Sequence, residues 1–185
     1  MAGQDDVKVG KKIIVDGAPY EVVKAEHLKV AMGKGMEKCT IKNLITGKVI
    51  PKTFREVDPV EPANISYFSS EYTYHDGDGF HFMNAETYDE ILLSDEKIGD
   101  SKYFLIEGNT VKIMEWNNTP INVELPPSVT LEVSDTPPGE RGDTATGGSK
   151  PATLNTGLTV KVPLFMKIGE KVRVDTRTYE YLGRA

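Results

Sequence analysis

The sequence predicts an all-β protein built as three consecutive small β-barrels. Three observations predict it. Short runs with strand character recur between turn-forming residues along nearly the whole chain. Two proline-marked breaks divide it, Asp58-Pro59-Val60-Glu61-Pro62-Ala63-Asn64 and Leu125-Pro126-Pro127-Ser128. Only one stretch, Ala85–Leu93, reads as helix, with Asn84 as its cap. Proline holds its own φ and pushes the preceding residue to extended geometry, so both breaks read as short, stiff connections. They delimit segments 1–64, 65–127 and 128–185. Segments that small have thin cores, so packing between them is expected to add stability.

Each segment is read as strands and tight turns. In the first, Ile13-Ile14-Val15, Asp16-Gly17 and Tyr20-Glu21-Val22-Val23 form a hairpin signal. Thr46-Gly47 separates Ile41–Ile45 from Lys48-Val49-Ile50. In the second, Tyr72-Thr73-Tyr74 and Phe80-His81-Phe82 flank Asp76-Gly77-Asp78-Gly79, and Val111–Trp116 lies between two Asn-containing turns. In the third, Val129–Val133 and Leu158–Val162 alternate, and Arg173-Val174-Asp175 and Tyr179–Leu182 finish the chain. Many short strands at this spacing indicate small barrels rather than a parallel sheet. Gly139–Lys150, with four glycines and few large apolar groups, breaks the rhythm and reads as a long loop.

Composition narrows the class. Across 185 residues the hydrophobic content is 38% and the charged content 27%, which fits a soluble globular protein. No run of apolar residues is long enough for a membrane span. The N-terminus lacks a basic region followed by an apolar core, so no secretory signal is expected. The single cysteine, Cys39, excludes an internal disulfide and fits a reducing cytoplasm. The formal net charge of -6 is unevenly spread. Residues 1–65 carry 11 basic and 9 acidic side chains, residues 66–127 carry 3 and 12, and residues 128–185 carry 8 and 7. The outer thirds are therefore free to meet a polyanion, whereas the middle third repels close phosphates. An acidic middle that merely keeps the chain soluble is the alternative on charge alone.

His75, Asp76, Asp78 and His81 lie close together, but a calcium loop needs Glu at its twelfth position and Thr87 stands there. Neither histidine has a partner at zinc spacing. Lys34 is followed by Gly35 rather than Ser or Thr, so no P-loop is present. Cys39 sits in an alternating strand and reads as a small core residue. No Ser/His/Asp arrangement stands out, so an enzyme is not expected, nor is a metal or cofactor.

The most informative local feature is Met32-Gly33-Lys34-Gly35-Met36, a lone lysine between two glycines with strand-like flanks. It reads as a lysine at the tip of a flexible hairpin, since glycine adds backbone freedom and no bulk. Such a lysine offers three N–H donors and a positive charge to a narrow space. That suits a phosphate or a lysine-modifying enzyme; a plain surface turn is the bland reading. Lys24, Lys29, Lys34, Lys38, Lys42 and Lys48 fall on or beside this hairpin. Lysines can supply sequence-independent RNA affinity, and a solvated basic face is the equal alternative.

Taken together, the segments resemble the bacterial elongation factor P family over essentially the whole chain. The most specific portion is Gly142-Asp143-Thr144-Ala145-Thr146-Gly147-Gly148-Ser149-Lys150-Pro151-Ala152-Thr153-Leu154-Asn155-Thr156-Gly157, followed by Val160-Lys161-Val162-Pro163 and Ile168-Gly169. Asp175-Thr176-Arg177 and Glu180-Tyr181 also match, and Lys48–Arg55 is similar to the end of the family's first domain. Gly33-Lys34-Gly35 falls where the family carries its modified residue. The resemblance implies an SH3-like (KOW-like) domain followed by two OB-type domains, in an L-shaped, tRNA-like arrangement. It implies a cytoplasmic, monomeric translation factor that binds the 70S ribosome between the P and E sites. There it would relieve stalling at consecutive prolines by positioning the CCA end of the P-site peptidyl-tRNA. Met32, Gly33, Lys34 and Gly35 would form the loop at the CCA end. Lys34 would be the modification site for a lysine-modifying enzyme. Gly142, Asp143 and Thr144 would face the E-site region near the small subunit, and Tyr181 and Arg184 would be further tRNA contacts. One departure is clear: Met32, preceded by Ala31, stands where the family commonly has proline. The alternative reading, a general single-stranded RNA-binding OB-fold protein, is disfavoured by the acidic middle third, which interrupts any continuous basic groove.

Overall fold

Asp16 and Gly17 both adopt positive φ, 50° and 77°. That is the requirement of the tight two-residue turn whose twist matches paired strands. They join β1 (Lys12–Val15) to β2 (Ala18–Leu28), with Val15 opposite Ala18. β3 (Met36–Asn43), β4 (Val49–Arg55) and β5 (Glu61–Pro62) complete a sheet in the order β4-β3-β2-β1-β5. The computed structural model describes residues 7–28, 35–139 and 148–185. Alternation of apolar and polar residues puts Ile13, Val15, Val22, Cys39, Ile41 and Phe54 on one face, where they bury with Val7. Cys39 is thus a core residue, as its strand context predicts.

The second sheet has the order β10-β9-β6-β7-β8 and comprises β6 (Ile65–Asp76), β7 (Gly79–Asn84), β8 (Glu90–Leu93), β9 (Thr110–Trp116) and β10 (Thr119–Glu124). Tyr72, Phe80, Phe82, Leu93 and Ile113 fill its core. The helix expected over Ala85–Leu93 does not form. The Asn84 side chain accepts from the backbone N–H groups of Glu86 (2.8 Å) and Thr87 (3.1 Å), which makes a turn rather than a helix start. Tyr88 then takes φ 62°, and the chain returns as β8 with Ile91 opposite Phe82 and Leu93 opposite Phe80. Burial of alternate residues Ile91 and Leu93 overrides the helical pattern. Helix follows later, as α1 (Asp95–Ile98) and a 3-10 turn over Gly99–Phe104. Ser94 caps α1 by accepting from the Lys97 N–H at 3.4 Å.

The third sheet has the order β13-β12-β11-β14-β15: β11 (Ser128–Asp135), β12 (Ser149–Leu154), β13 (Thr159–Pro163), β14 (Lys171–Asp175) and β15 (Tyr181–Arg184). Every strand pairing in the three sheets is antiparallel. Ser149 and Lys150, expected in a loop, belong to β12.

Two joints connect the sheets. Leu44, held in the turn after β3, buries against Met114 and Ile121 with Ile45, Ile65 and Trp116 around it. The Asn43 carboxamide oxygen shapes that turn by accepting from Ile45 N and Thr46 N, both at 2.9 Å. The second joint is deeper. Phe104, from the 3-10 turn of the middle sheet, is buried inside the core of the third sheet with Leu131, Leu154, Met166 and Val172. Thr156 donates to the Tyr103 carbonyl at 2.7 Å, and Thr176 donates to the Pro126 carbonyl at 2.6 Å.

Candidate functional site

The β2–β3 ladder runs out to Leu28 opposite Met36, so residues 29–35 connect the two strand ends as a hairpin. Met32, Gly33 and Lys34 lie outside the described residues; Gly35 lies within them, and its carbonyl accepts from Glu56 N at 3.2 Å. One pair below the strand ends, His27 Nδ1 and Glu37 Oε1 meet at 2.5 Å across the ladder. This contact fastens the stem where it leaves the sheet. The expected basic face is partly neutralised. Lys24 pairs with Glu26 at 2.6 Å, and Lys38 and Lys42 stand opposite Glu26 and Glu21. Lys48 is exposed at the following turn.

The third sheet holds the other expected contacts. Gly142, Asp143 and Thr144 lie outside the described residues. Both stems of that segment are built firmly. Thr136 Oγ1 donates to the Pro151 carbonyl at 2.9 Å. Lys150 occupies an inward position of β12, is buried, and donates its Nζ to the Pro137 carbonyl at 2.7 Å. Gly139 packs so closely that a Cβ there would stand 2.3 Å from the Leu164 carbonyl oxygen, which no side chain tolerates. Tyr181 is half-buried against the third core, so part of its ring serves packing. Arg184 is exposed at the end of β15, where its Nη2 donates to Glu170 Oε1 at 2.9 Å. Its guanidinium lies 4.8 Å from the centre of the Phe165 ring. Sequence reading missed Phe165; an aromatic residue two positions after Val160–Pro163 was the available signal.

The middle sheet carries a titratable cluster that sequence proximity half revealed. Both ring nitrogens of His81 meet carboxylates: Nε2 with Asp76 Oδ1 at 2.9 Å, and Nδ1 with Glu90 Oε1 at 2.5 Å. The ring stacks on Tyr74, centroids 4.1 Å apart. The Asp76 and Glu90 hydrogen bonds raise the His81 pKa above the usual imidazole value, and the His81 bond lowers that of Asp76. A raised folded-state pKa means that protonation favours folding. The His81 contribution is complete below the unfolded value, about 6.5, and disappears as pH rises through the folded value. The Asp76 contribution acts at the acid end and is lost as pH falls below the usual Asp range. Thermal melts should therefore show a higher Tm at mildly acidic than at mildly alkaline pH, with His81→Gln flattening that slope. An unchanged slope in the variant would remove His81 as its source. Among the described residues no cluster of His, Cys, Asp and Glu is arranged to hold a metal ion.

Three small antiparallel sheets in series define an all-β protein. Family models support a narrower statement. The elongation factor P KOW-like domain matches residues 4–60, the elongation factor P OB domain residues 69–123, and the elongation factor P C-terminal domain residues 129–184. The chain belongs to the elongation factor P family, a family of translation elongation factors. It is 46% identical over 184 residues to elongation factor P of Synechococcus sp. (strain JA-3-3Ab), covering 100% of both chains. It is 44% identical over 184 residues to that of Gloeothece citriformis (strain PCC 7424), again covering 100% of both. Among solved structures, eukaryotic translation initiation factor 5A from Methanococcus jannaschii aligns with a TM-score of 0.53 at 20% identity. That likeness covers 66% of this chain and 92% of the other, and it supports the fold.

Proposed function

We propose that this protein binds the ribosome between the P and E sites and stimulates peptide-bond formation at consecutive prolines. The observation that carries the reading is Gly33-Lys34-Gly35 on the connection that closes the β2–β3 hairpin, within the segment matched by the family's KOW-like domain. In this reading Met32, Gly33, Lys34 and Gly35 approach the CCA end of the P-site peptidyl-tRNA. Gly142, Asp143 and Thr144 meet the E-site region, and Tyr181 and Arg184 contact tRNA. The chain works in the cytoplasm as a monomer of three domains, 1–64, 65–127 and 128–185, and as a helper rather than an enzyme.

Proline is a poor nucleophile in peptide transfer partly because its ring restricts geometry. A helper that holds the CCA end and the peptide in a reactive arrangement lowers the barrier by orientation alone. It needs no acid or base. An extended lysine reaches only ~6 Å from its Cα by ordinary bond lengths. An amine-bearing adduct on Lys34 would lengthen that reach and add donors for phosphate or 2′-OH groups, which gives a lysine-modifying enzyme a purpose. Toeprinting and puromycin reactivity on a Pro-Pro-Pro template test the reading. Relief of the stall is expected from the protein purified from its native host. No relief from either modified or unmodified protein would exclude it.

A further inference from the structure

Phe165 lies in the turn between β13 and β14 and is 58% exposed. A single exposed aromatic residue means little, but this one is built into a fixed arrangement. Arg184 lies against its ring and is itself held by Glu170. The other carboxylate oxygen of Glu170 accepts from Lys167 N at 2.8 Å. Glu170 therefore ties the turn to the end of β15 and sets the guanidinium on the ring. Beneath, Met166 is fully buried in the third core, and Gly169 N donates to the Val133 carbonyl at 2.8 Å. The turn is anchored from below while Phe165 and Ile168, the latter 60% exposed, face outward.

We infer that Phe165, with Arg184 beside it, is a stacking platform for an unpaired nucleobase of RNA; this rests on the ribosome-binding reading above. Charge selects the occupant. Arg184 lies against the ring, exposed Lys167 belongs to the same turn two residues on, and Glu170, the acid of that turn, is already engaged by Arg184. An aromatic face set among cations is the arrangement that receives a base and its phosphates. Exposed Tyr74 and Tyr88 of the middle sheet have the opposite setting, beside Asp76, Asp89 and Glu90.

Equilibrium binding to 70S ribosomes carrying a P-site tRNA tests this with three variants. Phe165→Ala removes the ring, Phe165→Leu keeps apolar bulk without a π face, and Phe165→Trp keeps a face. Stacking predicts about 5- to 100-fold weaker binding for the Ala and Leu variants, and Trp within about twofold of wild type. All three should melt with the wild type, because the residue stands outside the core. Wild-type affinity in Phe165→Ala overturns the proposal. So does wild-type affinity in Phe165→Leu alone, which would indicate an apolar protein contact. A wild-type protein that does not bind ribosomes overturns the broader reading and this proposal with it, whereas a binding wild type with a silent Phe165→Leu overturns only the platform.

Discussion

Replacing Phe104 with alanine will destabilise the protein by about 3–5 kcal/mol, the usual cost of deleting a buried aromatic side chain. The effect should exceed that of a surface change because of where Phe104 sits. It is carried by the 3-10 turn of the middle sheet, yet it is 3% exposed within the third core. Its ring also meets Tyr179 at 5.5 Å between centroids. Truncation therefore opens a cavity in the third core and removes the main apolar contact across the joint. The hydrogen bonds from Thr156 to the Tyr103 carbonyl and from Thr176 to the Pro126 carbonyl would remain. They are each worth only about 1 kcal/mol net and cannot replace it. Denaturant unfolding should show a lower midpoint and a separate transition for the third sheet, with faster proteolysis near Pro126-Pro127. Phe104→Leu should retain most of the stability. A single transition at the wild-type midpoint in Phe104→Ala would show that the two sheets do not depend on this ring.

Lys34→Ala should leave stability within about 0.5 kcal/mol, as surface substitutions away from packing usually do, and should abolish or sharply reduce relief of polyproline stalling. Among the described residues the β2–β3 ladder ends at Leu28 opposite Met36. Core residues Val22, Cys39, Ile41 and Phe54 lie along the strands below. A toeprinting assay on a Pro-Pro-Pro template, beside a thermal melt, separates the two effects. Full relief by Lys34→Ala would remove the residue from the mechanism; a large drop in Tm would assign it to folding instead. Intact mass with peptide mapping of residues 29–38 would establish whether Lys34 carries an adduct in the native host.

Much of this was legible in the sequence because β structure writes itself in a period of two. Val129–Val133 and Leu158–Val162 alternate in sequence and in burial. Asp16-Gly17 announces its turn because few other dipeptides accept positive φ at both positions. The misreading of Ala85–Leu93 has an equally local cause. Asn84 placed as a cap before Ala85 allows a helix on paper, and only the Phe80 and Phe82 core across the ladder makes the strand the better solution.

The sequence by itself determined the all-β class, the burial of Cys39, the family and the isolation of Lys34 between glycines. Each of these is a property of neighbouring residues or of their order along the chain. Tertiary structure alone decided which sheet owns Phe104, why a lysine at position 150 can be buried, and that Phe165, Glu170 and Arg184 share one surface. The physical reason is distance along the chain. Phe104 lies far in sequence from Leu131 and Val172, and no period or turn signal encodes which core will receive its ring. Lys150 is tolerable inward only because the Pro137 carbonyl waits there. Contacts of that kind come into being when the sheets close.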